Sequence, residues 1–534
     1  MIQRRGRHSP PSSFQEMGRL IGTSTQYSYL PSLNFQNAYT YDAASNRTSL
    51  TAPDSTTTTY GYDTLNRLNG LGNSWAGSFA FGYDALSRRT SLTRPNGVNT
   101  SYSYDGLSHL LSVLHQAGNT VLDGASYTYD PAGNRTAKTN NLNGITSSYS
   151  YDPLYELTQV TQGTSTTESY SYDAVGNRLS SSGVPTYNYN SANELTSNSS
   201  GSYTYDANGN ALSDAQGRSF TWDFENRLTQ AVNPGVGTTT FKYDPFGRRI
   251  YKQSPNFAGS FLYDGKNLIE TVSGSGSEIA SYTHGGDLDQ PYAELRSGTV
   301  SYYEQDAANS VTSLSNSTGV LAATYTYDSF GNVTNSTGTL RNPFEYTGRE
   351  LDSETGLNYN RARYYNSATG RFISEDPLGF GGSGPNFYPY VRNDPADLID
   401  PLGLTNCVVT PLGTVCSDWN TNWSWMEPQP PGPPPLPPDL KPNPPQQAPP
   451  PCKCDMVEMG REVDRVVWKN TKHEIFFWEP IFMSGEGGAE FFEWQFGKRW
   501  IPAVKWVKVG VEVYDTYEEV EKIREKYRHC GWGF

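Results

Sequence analysis

A short aromatic phrase recurs along most of this chain and constrains its architecture more than any other feature. The phrase consists of an aromatic residue, any residue, Tyr (once Trp) and Asp, often followed within a few residues by Gly or Asn and then Arg. Twelve copies end at Asp42, Asp63, Asp84, Asp105, Asp130, Asp152, Asp173, Asp206, Asp223, Asp244, Asp264 and Asp328, and a degenerate copy ends at Asn190. The first four aspartates lie 21 residues apart. A near-constant period predicts one supersecondary unit stacked many times.

Each repeat unit is predicted to be a β-hairpin. Residues 101–104 alternate Ser and Tyr, which is the period-two pattern of a half-buried strand. Residues 173–178 combine Asp, Gly and Asn, which is turn chemistry, and residues 178–181 form a second short strand. A single hairpin is marginal in water, so the units must pair edge to edge. The repeated Tyr and Asp are therefore interpreted as packing and turn-capping residues rather than as a ligand site.

The composition fits a long β-sheet ribbed with aromatic side chains. The 534 residues include 38 Tyr and 51 Gly, and only 35% are hydrophobic, which excludes a helical bundle. The net charge of −14 argues against a general nucleic-acid-binding surface. No apolar run approaches the roughly 20 residues that span a bilayer. The basic residues 1–7 precede no apolar stretch, so no signal peptide is predicted. Export would then use a non-classical or specialised route, and we expect the chain to be part of a larger protein.

The five cysteines all lie late in the chain and leave two interpretations open. Cys452 and Cys454 could be half of a metal site, but no second cysteine pair is present and no cofactor is predicted. Cys407 and Cys416 could form a disulfide if the protein is exported.

The repeats give way to a denser segment at about residue 343. This segment has two Asp-Pro-Leu-Gly motifs, at 376–379 and 400–403, and an Arg-Tyr-Tyr run at 363–365. The stretch between the motifs is rich in aromatic residues and Asn. From the residues alone, the simplest interpretation is that each motif is a turn, since Asp-Pro commonly starts one.

The chain changes character again after the second motif. Residues 428–451 hold 14 prolines in 24 positions and are predicted to be an extended spacer. Residues 452–534 are predicted to form a small α+β domain, with helices at 455–468 and 514–528 and a strand at 501–513. His473 and His529 could supply acid–base chemistry, although a lone His is more often a packing residue.

The repeats together with the dense segment resemble YD-repeat proteins of the Rhs type, a family that includes the C component of Tc toxins, WapA-like proteins and, distantly, teneurins. The resemblance covers about residues 35–404. It divides the chain into an N-terminal fragment (1–34), YD repeats (35–342), an Rhs repeat-associated core (343–404), a Pro-rich linker (405–451) and a variable C-terminal domain (452–534). The fold expected is mainly β: a spiral of hairpins forming a hollow shell, partial or closed, plus the small C-terminal domain.

The resemblance also implies an activity. In this family the shell encloses a C-terminal effector, and the core is an aspartic-type self-peptidase that cuts just after the second motif. Carried over by position, Asp376 and Asp400 would be the paired carboxylates, Arg363 the supporting cation, and Leu404–Thr405 the scissile bond. The chemistry is sensible, because two adjacent carboxylates share a proton and an Arg can hold one of them ionised.

Two functions follow from these predictions. The first is a polymorphic toxin whose own C-terminal domain is its cargo. Its partners would be an immunity protein and a further shell chain, and it would act on nucleic acid only if the effector is a nuclease. The second is a non-catalytic cell-surface or secreted repeat protein that binds carbohydrate or protein partners.

Overall fold

A computed structural model of the chain describes residues 12–14, 18–382, 384–411 and 413–416. Nearly all regular structure in these ranges is antiparallel β-sheet, and the helical elements there are three short 3₁₀ turns at Tyr346–Gly348, Gly379–Gly381 and Tyr390–Asn393. The predicted mainly-β fold is confirmed. None of the helices in these ranges is long and apolar enough to cross a membrane.

The strands follow one another as a meander in which each strand pairs with its neighbours in sequence. The first sheet has 16 strands: Ser12–Phe14, Leu20–Thr25, Phe35–Tyr41, Arg47–Thr51, Thr57–Tyr62, Leu68–Asn73, Gly77–Tyr83, Arg89–Thr93, Val98–Tyr104, Leu110–Ala117, Thr120–Tyr129, Arg135–Asn140, Thr146–Tyr151, Leu157–Gln162, Ser165–Tyr172 and Arg178–Ser181. Tyr187–Tyr189, Leu195–Asn198 and Gly201–Ser202 form a short second sheet.

The third sheet continues the meander with 14 strands. They are Thr204–Tyr205, Ala211–Ser213, Ser219–Trp222, Leu228–Asn233, Gly237–Tyr243, Arg249–Ser254, Phe257–Asp264, Asn267–Val272, Glu278–His284, Pro291–Arg296, Thr299–Gln305, Val311–Asn316, Leu321–Tyr327 and Val333–Thr337. The first sheet begins earlier than the predicted boundary at residue 35, because Leu20–Thr25 already pairs with Phe35–Tyr41.

The repeated Asp closes the turn of most repeat units, whereas Asp264 instead binds Tyr39 and Arg47 of the first sheet. In the second unit, Asp63 Oδ1 accepts the backbone N–H groups of Leu65 (2.9 Å) and Arg67 (3.0 Å). Asp63 Oδ2 accepts Nε–H of Arg67 at 2.7 Å. Asn66 takes a left-handed conformation with φ of 58°, which Asn tolerates better than most residues. The interpretation of the repeated Asp as a turn cap is confirmed.

The Tyr before each Asp joins neighbouring units. The hydroxyl of Tyr83 donates to the carbonyl of Leu68 at 2.7 Å, and that of Tyr62 donates to the carbonyl of Arg47 at 3.0 Å. The Arg67 guanidinium lies 4.8 Å from the centre of the Tyr83 ring, a cation–π contact. The recurring residues thus hold one hairpin to the next.

Removing one of these hydroxyls should weaken the sheet measurably. Tyr83→Phe leaves the Leu68 carbonyl without its partner, so we expect the free energy of unfolding to fall by about 1 kcal/mol. Urea denaturation followed by tryptophan fluorescence would measure the change. Tyr155→Phe is the matched control, because Tyr155 is exposed and its loss should leave the midpoint unchanged. Equal shifts in the two variants would contradict this role.

The meander winds round so that later strands pack against earlier ones. The Tyr27 hydroxyl donates to the carbonyl of Phe261 (2.7 Å), and the Tyr302 hydroxyl donates to that of Ala76 (2.8 Å). These partners are 234 and 226 residues apart. Side chains on both faces of Asn267–Val272 and Pro291–Arg296 are buried. Strands of the third sheet therefore form a second layer that packs against a face of the first sheet.

The core segment forms a four-stranded sheet that packs mainly against strands of the third sheet. Its four strands are Glu350–Asp352, Leu357–Asn360, Arg363–Asn366 and Arg371–Phe372. Asp352 pairs with Arg249 and with Lys252 (2.9 Å) of the third sheet, and all three residues are buried. At the other side, Asn393 donates to Glu156 at 2.9 Å. The core thereby bridges shell units more than 90 residues apart in sequence.

A short hairpin follows the core. Cys407–Thr410 pairs with Gly413–Cys416, and a disulfide joins Cys407 to Cys416. The predicted elements of 452–534, the possible metal half-site at Cys452 and Cys454, and His473 and His529 all lie outside the described residues.

Candidate carboxylate site in the core segment

The structure brings the predicted site residues of the core together. Arg363 lies on the third core strand, and the two aspartates lie in the loops that follow. Arg363 Nη2 is 2.9 Å from Oδ2 of Asp376 and 3.3 Å from Oδ2 of Asp400. The three side chains are at most 2% exposed. Both carboxylates therefore contact the same guanidinium nitrogen in a site closed to bulk water.

The guanidinium of Arg363 is held from several directions. Its Nε donates to the carbonyl of Gly403 (2.6 Å), and its Nη1 donates to that of Phe387 (2.9 Å). Its central carbon lies 3.7 Å from the centre of the Phe372 ring. Such contacts fix a planar cation in one orientation, which a lysine could not reproduce. The bond to Gly403 also ties the cation to the second Asp-Pro-Leu-Gly motif.

Asp400 lies directly beside the predicted scissile bond. Its Oδ1 accepts the N–H groups of Leu404 (3.0 Å) and Thr405 (3.2 Å). The Thr405 nitrogen is the amide nitrogen of the Leu404–Thr405 bond. Gly403 makes this tight turn possible, because its φ is +68° and an added Cβ would overlap the carbonyl oxygen of Asn360. One carboxylate oxygen thus reaches the leaving-group atom of the predicted reaction.

Asp376 is held by its own motif. Its Oδ1 accepts the N–H of Leu378 at 2.9 Å, an Asx turn of the kind expected for Asp-Pro. Its Oδ2 is buried. Among the described residues, this oxygen forms an ion pair with Arg363 but accepts no hydrogen bond. An added Cβ at Gly382 would overlap this same oxygen. The motif is therefore a turn, and the turn also aims a carboxylate oxygen at the shared cation.

Burial shifts the protonation of all three groups. It raises the pKa of Asp400 to about 6, against the opposing effect of Arg363 and of the two backbone N–H donors. It also raises the pKa of Asp376, again opposed by Arg363. Burial lowers the pKa of Arg363, although both carboxylates counteract this. The pair is thereby biased towards keeping a proton, which is the condition for a two-carboxylate site.

Residues that sequence reasoning did not single out also position Asp400. The Asn360 amide donates to the Asp400 carbonyl (2.7 Å), and the Asp400 N–H donates to the Tyr390 hydroxyl (3.3 Å). The Tyr390 ring stacks on Tyr365, with centroids 4.3 Å apart. No spacing in the sequence distinguishes Asn360 or Tyr390 from the other Asn and Tyr residues of this segment.

The backbone after Tyr390 is strained. Val391, Arg392 and Asn393 are consecutive left-handed residues with φ of 44°, 54° and 60°. This conformation is costly for any residue with a Cβ and most costly for β-branched Val. Strain of this kind persists only where the surrounding structure enforces it, and it is common at functional sites. Buried Val391 and Asn393 supply that support here.

Comparison with protein families identifies the type of shell. Residues 138–383 match the teneurin YD-shell family, and residues 83–121 match the RHS repeat family. In the described part of the chain, no group of His, Cys, Asp and Glu is arranged to hold a metal ion.

A bacterial nuclease and a bacterial deaminase toxin are among the proteins similar to this chain. It is 34% identical over 319 residues to the tRNA nuclease WapA of Bacillus subtilis. The aligned region covers 58% of this chain and 12% of WapA. It is 30% identical over 205 residues to the double-stranded DNA deaminase toxin A of Burkholderia cenocepacia. This aligned region covers 32% of this chain and 14% of that toxin. The chain thus spans only about an eighth of the length of these curated relatives.

Solved Tc toxin structures share the fold. The crystal structure of TcdB2-TccC3 without its hypervariable C-terminal region superposes with a TM-score of 0.62 at 21% identity, over 73% of this chain and 23% of that one. A Tc holotoxin pore of Photorhabdus luminescens gives a TM-score of 0.61 at 21% identity, with the same shares covered.

The fold and these matches define a YD-shell with an associated core. Residues 83–121 and 138–383 thus carry RHS repeats and a YD-shell, and this shell is of the polymorphic-toxin type.

Proposed function

We propose that this chain is the shell-and-core part of a polymorphic toxin that cuts itself between Leu404 and Thr405. The observation that carries the proposal is the position of Asp400, whose Oδ1 lies 3.2 Å from the Thr405 nitrogen while Oδ2 shares Arg363 with Asp376. A second carboxylate, a fixed cation and the amide to be cut are thus assembled by one small segment.

The proposed reaction is hydrolysis by an acid–base pair of carboxylates. The ionised carboxylate takes a proton from a water molecule, whose oxygen forms a bond to the Leu404 carbonyl carbon. The protonated carboxyl donates a hydrogen bond to the developing oxyanion and keeps its proton at this step. The C–N bond then breaks, and the Thr405 nitrogen leaves as an amine with a proton from the pair. Asp400 gives this proton because its carboxyl lies within reach of the nitrogen, whose N–H donates to Oδ1 at 3.2 Å before the reaction. Asp376 is the base and keeps the proton taken from water, so the pair ends with one proton, as it began.

Intact mass spectrometry of the expressed chain tests the proposal. We expect the parent to yield a fragment that ends at Leu404, and Asp376→Asn to remain uncut. Asp206→Asn is the matched control, because the shell already has Asn190 at the equivalent turn position, where it accepts the N–H groups of Ala192 and Glu194. An uncut parent would overturn the proposal and favour a non-catalytic repeat protein, which a glycan-binding screen on residues 35–404 would then examine.

Cleavage should slow as the pH rises through about 6. The pair needs one shared proton, and burial raises the pKa of both carboxyls, that of Asp400 to about 6. Raising the pH from about 5 to about 8 removes this proton and leaves two anions, so the rate should fall. Time courses of cell-free synthesised protein at the two pH values would measure it. A rate that rises over this interval would contradict the shared-proton mechanism.

The released piece, 405–534, is proposed to act as the effector against competing cells or a host. The support is its position after a toxin-type shell in a chain related to WapA and a DNA deaminase toxin. The protein would leave the cell by a specialised route, and a further shell chain and an immunity protein would be its partners. Expression of 405–534 alone in bacteria tests this, and normal growth would refute the toxin role.

A further inference from the structure

A cavity of about 200 Å³ lies beside the predicted cleavage site, where the shell and the core meet. The shell contributes Tyr263, Leu268 and His284 to its wall, and the core contributes Phe344 and Tyr359. Leu402 and Leu404 also line it, so the residue before the scissile bond faces this space, and charged residues of the shell and core, among them Arg248, Asp289 and Arg361, form the rest of the wall together with Ala362. The exposed wall is mostly apolar.

The main chain next to the cavity is firmly anchored. Leu404 N–H is held by Asp400 Oδ1, and Ala362 N–H donates to the carbonyl of Leu402 at 3.1 Å. Arg361 donates to the carbonyl of Pro401 and pairs with Asp289 of the shell at 2.7 Å. The residue at 404 therefore has a fixed position relative to the cavity, and its side chain alone decides how the space is filled.

The polar groups of the wall cannot satisfy a charged side chain. Both carboxylate oxygens of Asp289 are already taken by Arg361, and one also by Arg349. His284 Nε2 donates to the carbonyl of Leu268 at 2.7 Å, which leaves Nδ1 as an acceptor without a hydrogen bond. The cations of the wall are also partnered: Arg248 pairs with Asp244, Arg349 with Asp289 and Glu350, and Arg361 with Asp289. A charged side chain at 404 would therefore lose its hydration without gaining a partner that is not already engaged.

We propose that this cavity is the subsite that receives the side chain on the amino side of the scissile bond and selects an uncharged, apolar residue there. The inference rests on the proposed self-cleavage and specifies what that reaction accepts. Burying the apolar side chain would hold the Leu404 carbonyl in place during attack. Leu does not fill the cavity, so a longer or aromatic side chain is also admitted.

Substitutions at 404, compared in time courses of cell-free synthesis, test the subsite. Leu404→Met and Leu404→Phe should cleave within about threefold of the parent, and Leu404→Ala roughly tenfold more slowly. Leu404→Asp should be cut at least about a hundredfold more slowly, because an unpaired charge would be buried. Leu107→Asp is the control for a new charge, since Leu107 is 76% exposed in a repeat turn. Near-equal rates for all four 404 variants would overturn the inference.

A size exchange tests the wall directly. Ala362 lines the cavity, so Ala362→Leu should crowd it and slow cleavage of the parent sequence. Combining Ala362→Leu with Leu404→Ala should restore most of the lost rate, which a general folding defect would not do. No restoration would refute the subsite. A parent that is never cut would instead refute the self-cleavage on which the inference rests, so the two failures are distinguishable.

Discussion

Replacing Asp400 by Asn is expected to stop the release of residues 405–534, lowering the cleavage rate by roughly 10²–10⁴-fold. An amide can still accept the N–H groups of Leu404 and Thr405, which Asp400 Oδ1 accepts in the parent. It cannot give or take the proton that the reaction moves. The effect should therefore fall on the chemical step and leave the fold intact.

Parallel measurements separate these two consequences. The rate would come from the time course of the 1–404 fragment after cell-free synthesis, and the fold from the thermal unfolding of the purified variant. We expect Asp400→Asn to be uncut and to unfold at about the parent's temperature. A variant that is cut at the parental rate would exclude Asp400 from the chemistry. An uncut, unfolded variant would make Asp400 a structural residue instead.

Replacing Asp352 by Ala should cause the largest loss of stability among single changes at the contact between shell and core. Asp352 is the shared partner of Arg249 and Lys252, and all three side chains are at most 8% exposed. Arg249 holds the pKa of the Asp352 carboxyl below its usual range, together with Lys252, although burial opposes them. Removing it leaves Arg249 buried without an anion, whereas Lys252 keeps Glu354 at 3.0 Å, and the uncompensated Arg249 charge costs about 3–5 kcal/mol.

Urea denaturation measures this loss, and an exposed ion pair provides its control. Glu225 pairs with Arg227 at 2.6 Å, but its side chain is 51% exposed. Glu225→Ala should therefore change the free energy of unfolding by less than about 1 kcal/mol. We also expect Asp352→Ala to slow self-cleavage, because Asp352 lies in the segment that holds the site. A loss no larger than that of the control would show that the buried cations find water or other partners.

The local structure of the shell could be predicted from the sequence because the contacts that form each hairpin lie within the repeat itself. The alternation at 101–104 specifies a half-buried strand, and the Asp-to-Arg turn closes through contacts within five residues. The site residues came from a resemblance rather than from such local physics. On the residues alone, Asp376 and Asp400 are turn starters, and they are indeed in turns.

The site could be predicted only in part, because its remaining members approach from distant parts of the chain. Asn360 and Tyr390 contact Asp400 across 40 and 10 residues, and Asp289 of the shell holds Arg361 across 72 residues. Neither residue type nor spacing marks these positions. The left-handed conformation of Val391 also contradicts the local preference of a β-branched residue. It is maintained because the packing around this turn compensates for the backbone strain.

The sequence by itself determined the repeating hairpin, the edge-to-edge sheet and the caps that close its turns, since all of these depend on contacts within one unit or between neighbours. The packing of the third sheet against the first, the docking of the core and the meeting of Arg363, Asp376 and Asp400 were decided only by the tertiary structure. The reason is that these features depend on burial and on charge pairing between residues far apart in sequence. Such contacts form only when the whole sheet has curved round and excluded water.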